Sequence, residues 1–108
     1  MKKVYIVQVY QKKHDRTDIV DITLEHENVR DIINKYLHYR VLDAEEYGTE
    51  HDVQCEKEAM TEIWNFYKNY DFESRNVGST VSYGIPWFSV SVTVRTLYED
   101  AMKLHLEE

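Results

Sequence analysis

The residue types best suited to chemistry are a histidine and a cysteine four positions apart, His51 and Cys55. On a helix, this spacing puts both side chains on one face, a turn apart. A histidine placed in this way can act as the base for a cysteine nucleophile. Acids crowd the same stretch, however, and negative charge disfavours the thiolate that such catalysis requires. No catalytic motif surrounds the pair, so we interpret Cys55 as a structural residue.

The sequence does not contain the pattern of residues that a metal site or a phosphate-binding site requires. A zinc site built on His51 and Cys55 would require two further ligands. The other histidines follow no ligand spacing: His14, His26, His38 and His105. The chain has only three glycines and no glycine-rich loop that could hold a phosphate. We therefore predict that the protein is not an enzyme and binds no metal or cofactor.

The strongest functional signal is a concentration of negative charge between Asp43 and Glu62, which we call the acidic segment. It contains eight acids and one base, Lys57, so its net charge is -7, equal to the formal charge of the whole chain. The net charges of the parts before and after it, +2 and -2, cancel each other. Charge runs usually form a solvated face, but a charge localised to this degree also suits a docking surface.

From about residue 52 to residue 70, the chain has the periodicity of an amphipathic helix. Its apolar face comprises Ala59, Met60, Ile63, Phe66, Tyr67 and Tyr70. Either Thr49 or Asp52 is suited to cap its start. Two like-charge pairs lie one turn apart: Asp52 with Glu56, and Glu58 with Glu62. Each pair costs a surface helix roughly 0.2–0.5 kcal/mol, and the helix contains no opposite-charge pair that offsets this cost.

A chain of 108 residues is long enough for one hydrophobic core and too short for two, so we predict a single domain over residues 1–108. No stretch approaches the ~20 apolar residues of a membrane span. Lysines at positions 12 and 13 interrupt the first apolar run too early for a signal peptide. The single cysteine cannot form an internal disulfide, which favours a cytoplasmic location.

Four stretches are typical of strands. Val4–Tyr10 is apolar on both faces, as in an inner strand. Residues 18–24 alternate, with Val20, Ile22 and Leu24 on one predicted face. Thr80–Tyr83 and Trp87–Thr96 follow a polar loop and are joined by a predicted turn at residues 84–86. Trp87–Thr96 has the clearest alternation and predicts a strand with one buried face and one solvated face.

A first helix is predicted after the second strand, with Asn28 as its N-cap. Its apolar face comprises Val29, Ile32, Ile33, Tyr36 and Leu37, with Arg40 at its edge. The end of this helix is ambiguous. The face continues to Tyr47 and Gly48, a natural left-handed stop, whereas residues 41–42 would also suit the start of a strand. Residues 98–106 predict a weaker third helix.

The resulting order, β-β-α-α-β-β-α, favours the α+β class. Hairpin connections give antiparallel neighbours, and each helix has one apolar face to bury. We therefore predict a two-layer sandwich, in which two helices pack on one face of an antiparallel sheet of about four strands.

The charge density of the acidic segment indicates a function in binding. If helical, the segment spans roughly 30 Å, so its net charges lie about 4 Å apart, close to the ~3.4 Å per charge of one DNA strand. We infer a small acidic binding protein that occupies the nucleic-acid-binding surface of a basic partner protein without binding nucleic acid itself. The predicted contact residues are Asp43, Glu45, Glu46, Tyr47, Glu50, Asp52, Glu58, Glu62 and Trp64.

In composition, a small acidic chain of this kind, rich in Tyr, Lys and Asn, resembles the anti-restriction and anti-CRISPR inhibitors that phages carry. The resemblance covers composition and no residue motif; it implies an inhibitor that acts as a nucleic-acid mimic. The alternative is a structural or assembly protein that self-associates through a sheet edge or the terminal helix. In that case the acids serve only solubility.

Overall fold

A computed structural model of the chain describes residues 2–96, which form a four-stranded antiparallel sheet and two helices. The elements are β1 (Lys3–Gln11), β2 (Arg16–Thr23), α1 (His26–Tyr47), α2 (Glu50–Tyr67), β3 (Thr80–Ile85) and β4 (Phe88–Thr96). The predicted α+β class and the order β-β-α-α-β-β are confirmed. The helix predicted at residues 98–106 lies outside the described residues.

The strands lie in the order β2-β1-β4-β3, so β1 is an inner strand, as its apolar faces predict. The helices cover one face of the sheet, with α1 over β1 and β2 and α2 over β3. Val7 of β1 and Val92 of β4 are fully buried on that face, against Ile33 of α1 and Ile63 of α2. The alternation of β4 therefore buries its valines, as predicted, and leaves Arg95 exposed on the opposite face.

The predicted faces of β2 are wrong because the strand contains a bulge. Ile22 lies opposite Ile6, but Ile19 lies opposite Gln8, so the register shifts between Val7 and Gln8. One extra residue in a strand reverses the alternation beyond it. Ile19 and Ile22 consequently share the face opposite the helices, where they are 59% and 50% exposed, while Val20 packs against the core.

The first helix begins three residues earlier than predicted and ends at the later of the two predicted positions. Glu25, not Asn28, is its N-cap, and no side chain caps it. Residues 41–42 do not start a strand, because Val41 is buried on the same helical face as Leu37 and Ala44.

Gly48 ends α1, but not through a left-handed backbone. Its φ of -105° and ψ of -177° are extended, and its N–H donates to the Ala44 carbonyl at 2.8 Å. A Cβ here would lie 2.8 Å from that carbonyl oxygen and 2.9 Å from Oδ2 of Asp52. Glycine is therefore required by the close approach of two helix ends, and not by the sign of φ.

The turn between β3 and β4 lies later than predicted. Gly84 and Ile85 belong to β3, and Pro86 and Trp87 form the turn, because Ile85 pairs with the buried Phe88. Trp87 is thereby carried to the end of the sheet, where its carbonyl accepts a hydrogen bond from the N–H of Lys12 at 3.1 Å.

Candidate partner-binding surface

The two helices form an antiparallel hairpin whose connection is only two residues long, Gly48 and Thr49. This short connection places the last turn of α1 beside the first turn of α2. The first ten residues of the acidic segment, 43–52, therefore meet at one end of the helical pair, which we call the hairpin end. Acids separated along the sequence become neighbours in space.

A capping box opens α2. The Thr49 hydroxyl accepts a hydrogen bond from the Asp52 N–H at 3.2 Å, and the Asp52 carboxylate accepts one from the Thr49 N–H at 2.8 Å. The bond from the Thr49 N–H to the carboxylate, with a smaller contribution from the Thr49 side chain, holds the pKa of Asp52 below its ordinary value, because it favours the charged form. Of the two caps that the sequence predicts, Thr49 is the N-cap. Asp52 stabilises the start of the helix and also contributes negative charge to its surface.

Glu56 is the acid of the segment that the fold most clearly neutralises. Its carboxylate accepts two hydrogen bonds from Arg40 of α1, at 2.9 and 3.1 Å, and each side chain of the pair is only 15% exposed. The Arg40 guanidinium also lies over the ring of Phe88, 3.7 Å from its centroid. Burial opposes the charge on Arg40, but the bonds to Glu56 and Tyr36 outweigh it and raise the guanidinium pKa.

The Arg40–Glu56 pair was not predicted, although the sequence contains a signal for it. Arg40 sits at the edge of the apolar face of α1, and Glu56 lies one turn before the apolar Ala59 and Met60 of α2. Opposite charges on facing stripes of adjacent helices are suited to pair. Their bond also offsets the repulsion between Asp52 and Glu56 that the sequence of α2 alone leaves uncompensated.

The end of α1 differs from the start of α2, because its acids have no partner in the described chain. Asp43, Glu45 and Glu46 are exposed, and the last turn of α1 contains no basic residue. Within residues 2–96, none of the three takes part in an ion pair or a side-chain hydrogen bond. The negative pole of the helix macrodipole lies at this end, so acids here are unfavourable to the helix.

The remaining predicted contact residues fall into two groups. Glu50 and Tyr47 are both exposed to solvent, and the Tyr47 side chain is 78% exposed. By contrast, Glu62 accepts a hydrogen bond from the Tyr83 hydroxyl at 3.1 Å, and Glu58 accepts one from Gln54 at 3.1 Å. Trp64 is half-buried and packs against the core. Five of the seven exposed acids of the segment therefore lie at the hairpin end, together with the highly exposed ring of Tyr47.

A cleft of about 650 Å³ lies between the hairpin end and the end of the sheet. Four aromatic side chains line it, from both layers: Tyr36, Tyr39, Tyr47 and Trp87. Asp43 and Asp52 lie at the same cleft, and Glu56 lies in its wall, where it accepts a hydrogen bond from the Trp87 indole at 3.4 Å. The cleft combines exposed aromatic rings with carboxylates, the two groups that attract an organic cation.

His51 and Cys55 also line the cleft, with Nε2 and Sγ 3.5 Å apart, as their spacing on a helix predicts. Within residues 2–96, the contact with Cys55 is the one hydrogen bond that the His51 ring makes. Among residues 2–96 there is no cluster of three or more histidine, cysteine or acidic side chains that could hold a metal ion.

No protein-family model matches the chain, and no curated protein or solved structure matches it at a significant level. Neither α1 nor α2 is long and apolar enough to cross a membrane. The functional argument therefore depends on the geometry and charge of the hairpin end.

Proposed function

We propose that this protein is a small acidic binding protein whose hairpin end occupies a basic, nucleic-acid-binding surface of a partner protein. The observation that carries the proposal is the position of Glu45 and Glu46 in the last turn of α1, exposed and without a partner among residues 2–96. Side chains that oppose the helix in which they lie are typical of surfaces kept for function at some expense of stability.

The charge distribution supports a basic partner. Of the eight acids in the acidic segment, only Glu56 is paired with a base inside the described fold. The seven others are exposed, and Lys57 is the only base among them, so the surface carries about six net negative charges. A surface of one sign attracts a surface of the opposite sign before contact and accelerates association, and added salt weakens the attraction.

The aromatic cleft supplies the short-range contacts. Tyr39 and Tyr47 are 61% and 78% exposed, next to the carboxylate of Asp43. A lysine or arginine side chain of the partner can lie against a tyrosine ring while it pairs with the carboxylate, and a desolvated cation–π contact contributes about 2 kcal/mol. We therefore assign the anchoring role to Tyr47 with Tyr39, and not to the half-buried Trp64.

On this proposal the protein acts as an inhibitor in the manner of a nucleic-acid mimic, without catalytic activity, in the cytoplasm. The anti-CRISPR and anti-restriction proteins of phages are the functional class to which its composition corresponds. The alternative, self-association without a basic partner, makes the acids of the hairpin end dispensable.

The first test is capture of the partner with tagged protein from its source cells, or their natural host, at low salt. Bound proteins are then released at about 0.5 M salt, where exposed charges are screened beyond a few ångströms. We expect one nucleic-acid-binding protein in the salt step, and we expect double-stranded DNA to compete with the bait for it. A partner that DNA does not displace would contradict the proposal.

Two charge-matched variants identify the surface. Glu45→Gln/Glu46→Gln removes two charges from the hairpin end, whereas Glu25→Gln/Glu27→Gln removes two from the opposite end of α1. We expect the first variant to lose at least tenfold in affinity for the captured protein, and the second to bind within about twofold of the parent. Equal losses of affinity in both variants would mean that only the net charge of the protein matters, and would exclude a specific binding site at the hairpin end.

A further inference from the structure

The two edges of the sheet differ in how they are protected against pairing with another strand. The outer strand β2 is protected: it carries a bulge at Val20 and three charged residues, Arg16, Asp18 and Asp21. In addition, the Asp21 carboxylate accepts a hydrogen bond from the Ile22 N–H at 2.8 Å. Bulges, charges and occupied backbone groups are the usual means of preventing edge-to-edge association.

The opposite edge, β3, has none of these features along most of its length. Its six residues include no charge, no proline and no bulge, and its pairing with β4 is regular from Thr80 to Ile85. Among the contacts of residues 2–96, the one that reaches this edge from outside the sheet is at its first residue, where the Arg75 guanidinium donates to the Thr80 carbonyl at 3.3 Å. A regular, uncharged edge is a template for an additional strand.

The bond from Arg75 also shows which backbone groups of β3 face outward. In an antiparallel strand, alternate residues direct both their N–H and their C=O to the same side. Because the Thr80 carbonyl points away from β4, Ser82 and Gly84 direct their N–H and C=O groups to the free edge. Val81, Tyr83 and Ile85 direct theirs to Val92, Val90 and Phe88 of β4.

We propose that β3 pairs antiparallel with β3 of a second copy of this chain, around a two-fold axis at Tyr83. Since Arg75 occupies the Thr80 carbonyl, the residues of β3 whose outward N–H and C=O groups both remain are Ser82 and Gly84. They are satisfied together in one register, in which Ser82 of each copy lies opposite Gly84 of the other. This register makes four backbone hydrogen bonds and joins two four-stranded sheets into one of eight strands.

The side chains support this register. On the helix-covered face it places Tyr83 opposite its own copy and Val81 opposite Ile85. All three side chains are half-buried in the single chain, because the edge leaves them without a neighbour on one side. Tyr83 is held in place by stacking on Phe66, at 4.5 Å between ring centroids, and by its bond to Glu62. Apolar and aromatic cross-strand pairs are the stabilising unit of a sheet.

A second copy fits this edge better than an unrelated strand, because a two-fold interface is self-complementary in one register. Gly84 gives a local reason as well. A Cβ at this position would collide with Ser89 of β4, so packing requires glycine here. The glycine adds no side chain opposite Ser82 of the second copy. The unpaired acids of α1 belong to the hairpin end, not to β3, so one copy can use both surfaces.

Sedimentation velocity of the full chain, at total concentrations from about 1 µM to about 1 mM, tests the proposal over the range of dissociation constants expected for a small interface. We expect a monomer–dimer equilibrium that shifts toward dimer as salt is raised, because two chains of net charge -7 repel each other. Binding of a basic partner at the hairpin end should instead weaken as salt is raised, so the two interactions respond to salt in opposite directions. A monomer throughout the range would overturn the proposal.

Three substitutions at Ser82 locate the interface. Ser82→Pro removes the outward N–H, which an edge strand tolerates, and should weaken the dimer at least tenfold. Ser82→Ala keeps that N–H and should leave the dimer unchanged. Should Ser82→Pro fail to fold, Ser82→Glu, which changes only an exposed side chain, should weaken dimerisation, because it places like charges near the axis and adds to the negative charge of each chain. Dimerisation of the folded proline or glutamate variant with parental affinity would overturn the assignment to β3.

Discussion

The end of α1 and the start of α2 lie side by side at Gly48, and both are acidic, but their acids have opposite effects on the fold. In α2, Asp52 completes a capping box and Glu50 faces the positive pole of its helix. In α1, Glu45 and Glu46 face the negative pole, and no base shares their turn. The same residue type is therefore structural on one side of the turn and available for binding on the other.

One turn further into the helical pair, two acids that line the same cleft also differ. Glu56 is paired with Arg40 and is largely withdrawn from solvent, whereas Asp43 remains exposed. A count of acids along the sequence treats these positions alike. The structure shows that the exposed charge of the acidic segment is smaller than its formal charge, and that most of it lies at the hairpin end.

The largest effect is expected from Arg40→Ala, which leaves Glu56 half-enclosed without its cation. Loss of one member of a fully buried ion pair costs about 3 kcal/mol or more, so for this partly buried pair we expect a loss of up to about 3 kcal/mol. The variant also removes the contact with the Phe88 ring. Urea unfolding monitored by circular dichroism measures the change in unfolding free energy. The double variant Arg40→Met/Glu56→Met should recover most of the loss, and a single variant as stable as the parent would show that the pair is unimportant.

A smaller effect is expected from Thr49→Ala, which removes the hydroxyl that caps α2. Loss of an N-cap side chain costs about 1 kcal/mol. The matched control is Thr61→Ala, because Thr61 lies inside α2, is exposed and bonds only to the Lys57 carbonyl of its own helix. Thermal unfolding should separate the two variants clearly, and equal melting temperatures would show that the capping box is not needed.

The contribution of Asp52 should depend on pH. Its hydrogen bonds with Thr49 lower its folded-state pKa, so its stabilising effect is present above the ordinary aspartate pKa and is lost as pH falls through the lowered value. The difference in unfolding free energy between the parent and Asp52→Ala should therefore narrow in acid. Urea titrations from about pH 7 to about pH 3 measure it; a difference that widens over this range would contradict the role of Asp52 in the cap.

Most of the fold follows from local patterns in the sequence. The alternating valines of β4 predict a strand with one buried face, and the two apolar faces of β1 predict an inner strand. The apolar face of α2 predicts a helix within a few residues of its observed bounds. These features depend on spacing along the chain. They are visible because burial on one face repeats with the period of the element.

The features that the sequence did not reveal depend on contacts between elements. The bulge at Val20 arises from the pairing of β2 with β1, and the need for Gly48 arises from the approach of Asp52. Within the candidate site, the acids are identifiable by type, but their roles depend on which helix end they occupy and on whether Arg40 reaches them. The distances between Arg40 and these acids are set by the packing of α1 on α2.

The most direct test of the account is the urea unfolding of the two charge-matched variants, Glu45→Gln/Glu46→Gln and Glu25→Gln/Glu27→Gln. Each removes two negative charges from one end of α1, at the start of which Glu25 is the N-cap and Glu27 lies in the first turn, so the general effect of net charge cancels between them. If the acids at the end of α1 oppose the fold, the first variant should be more stable than the second by about 1 kcal/mol, because the macrodipole favours acids at its start and disfavours them at its end. A first variant that is equally stable or less stable would mean that Glu45 and Glu46 serve the fold, and the central claim would fail.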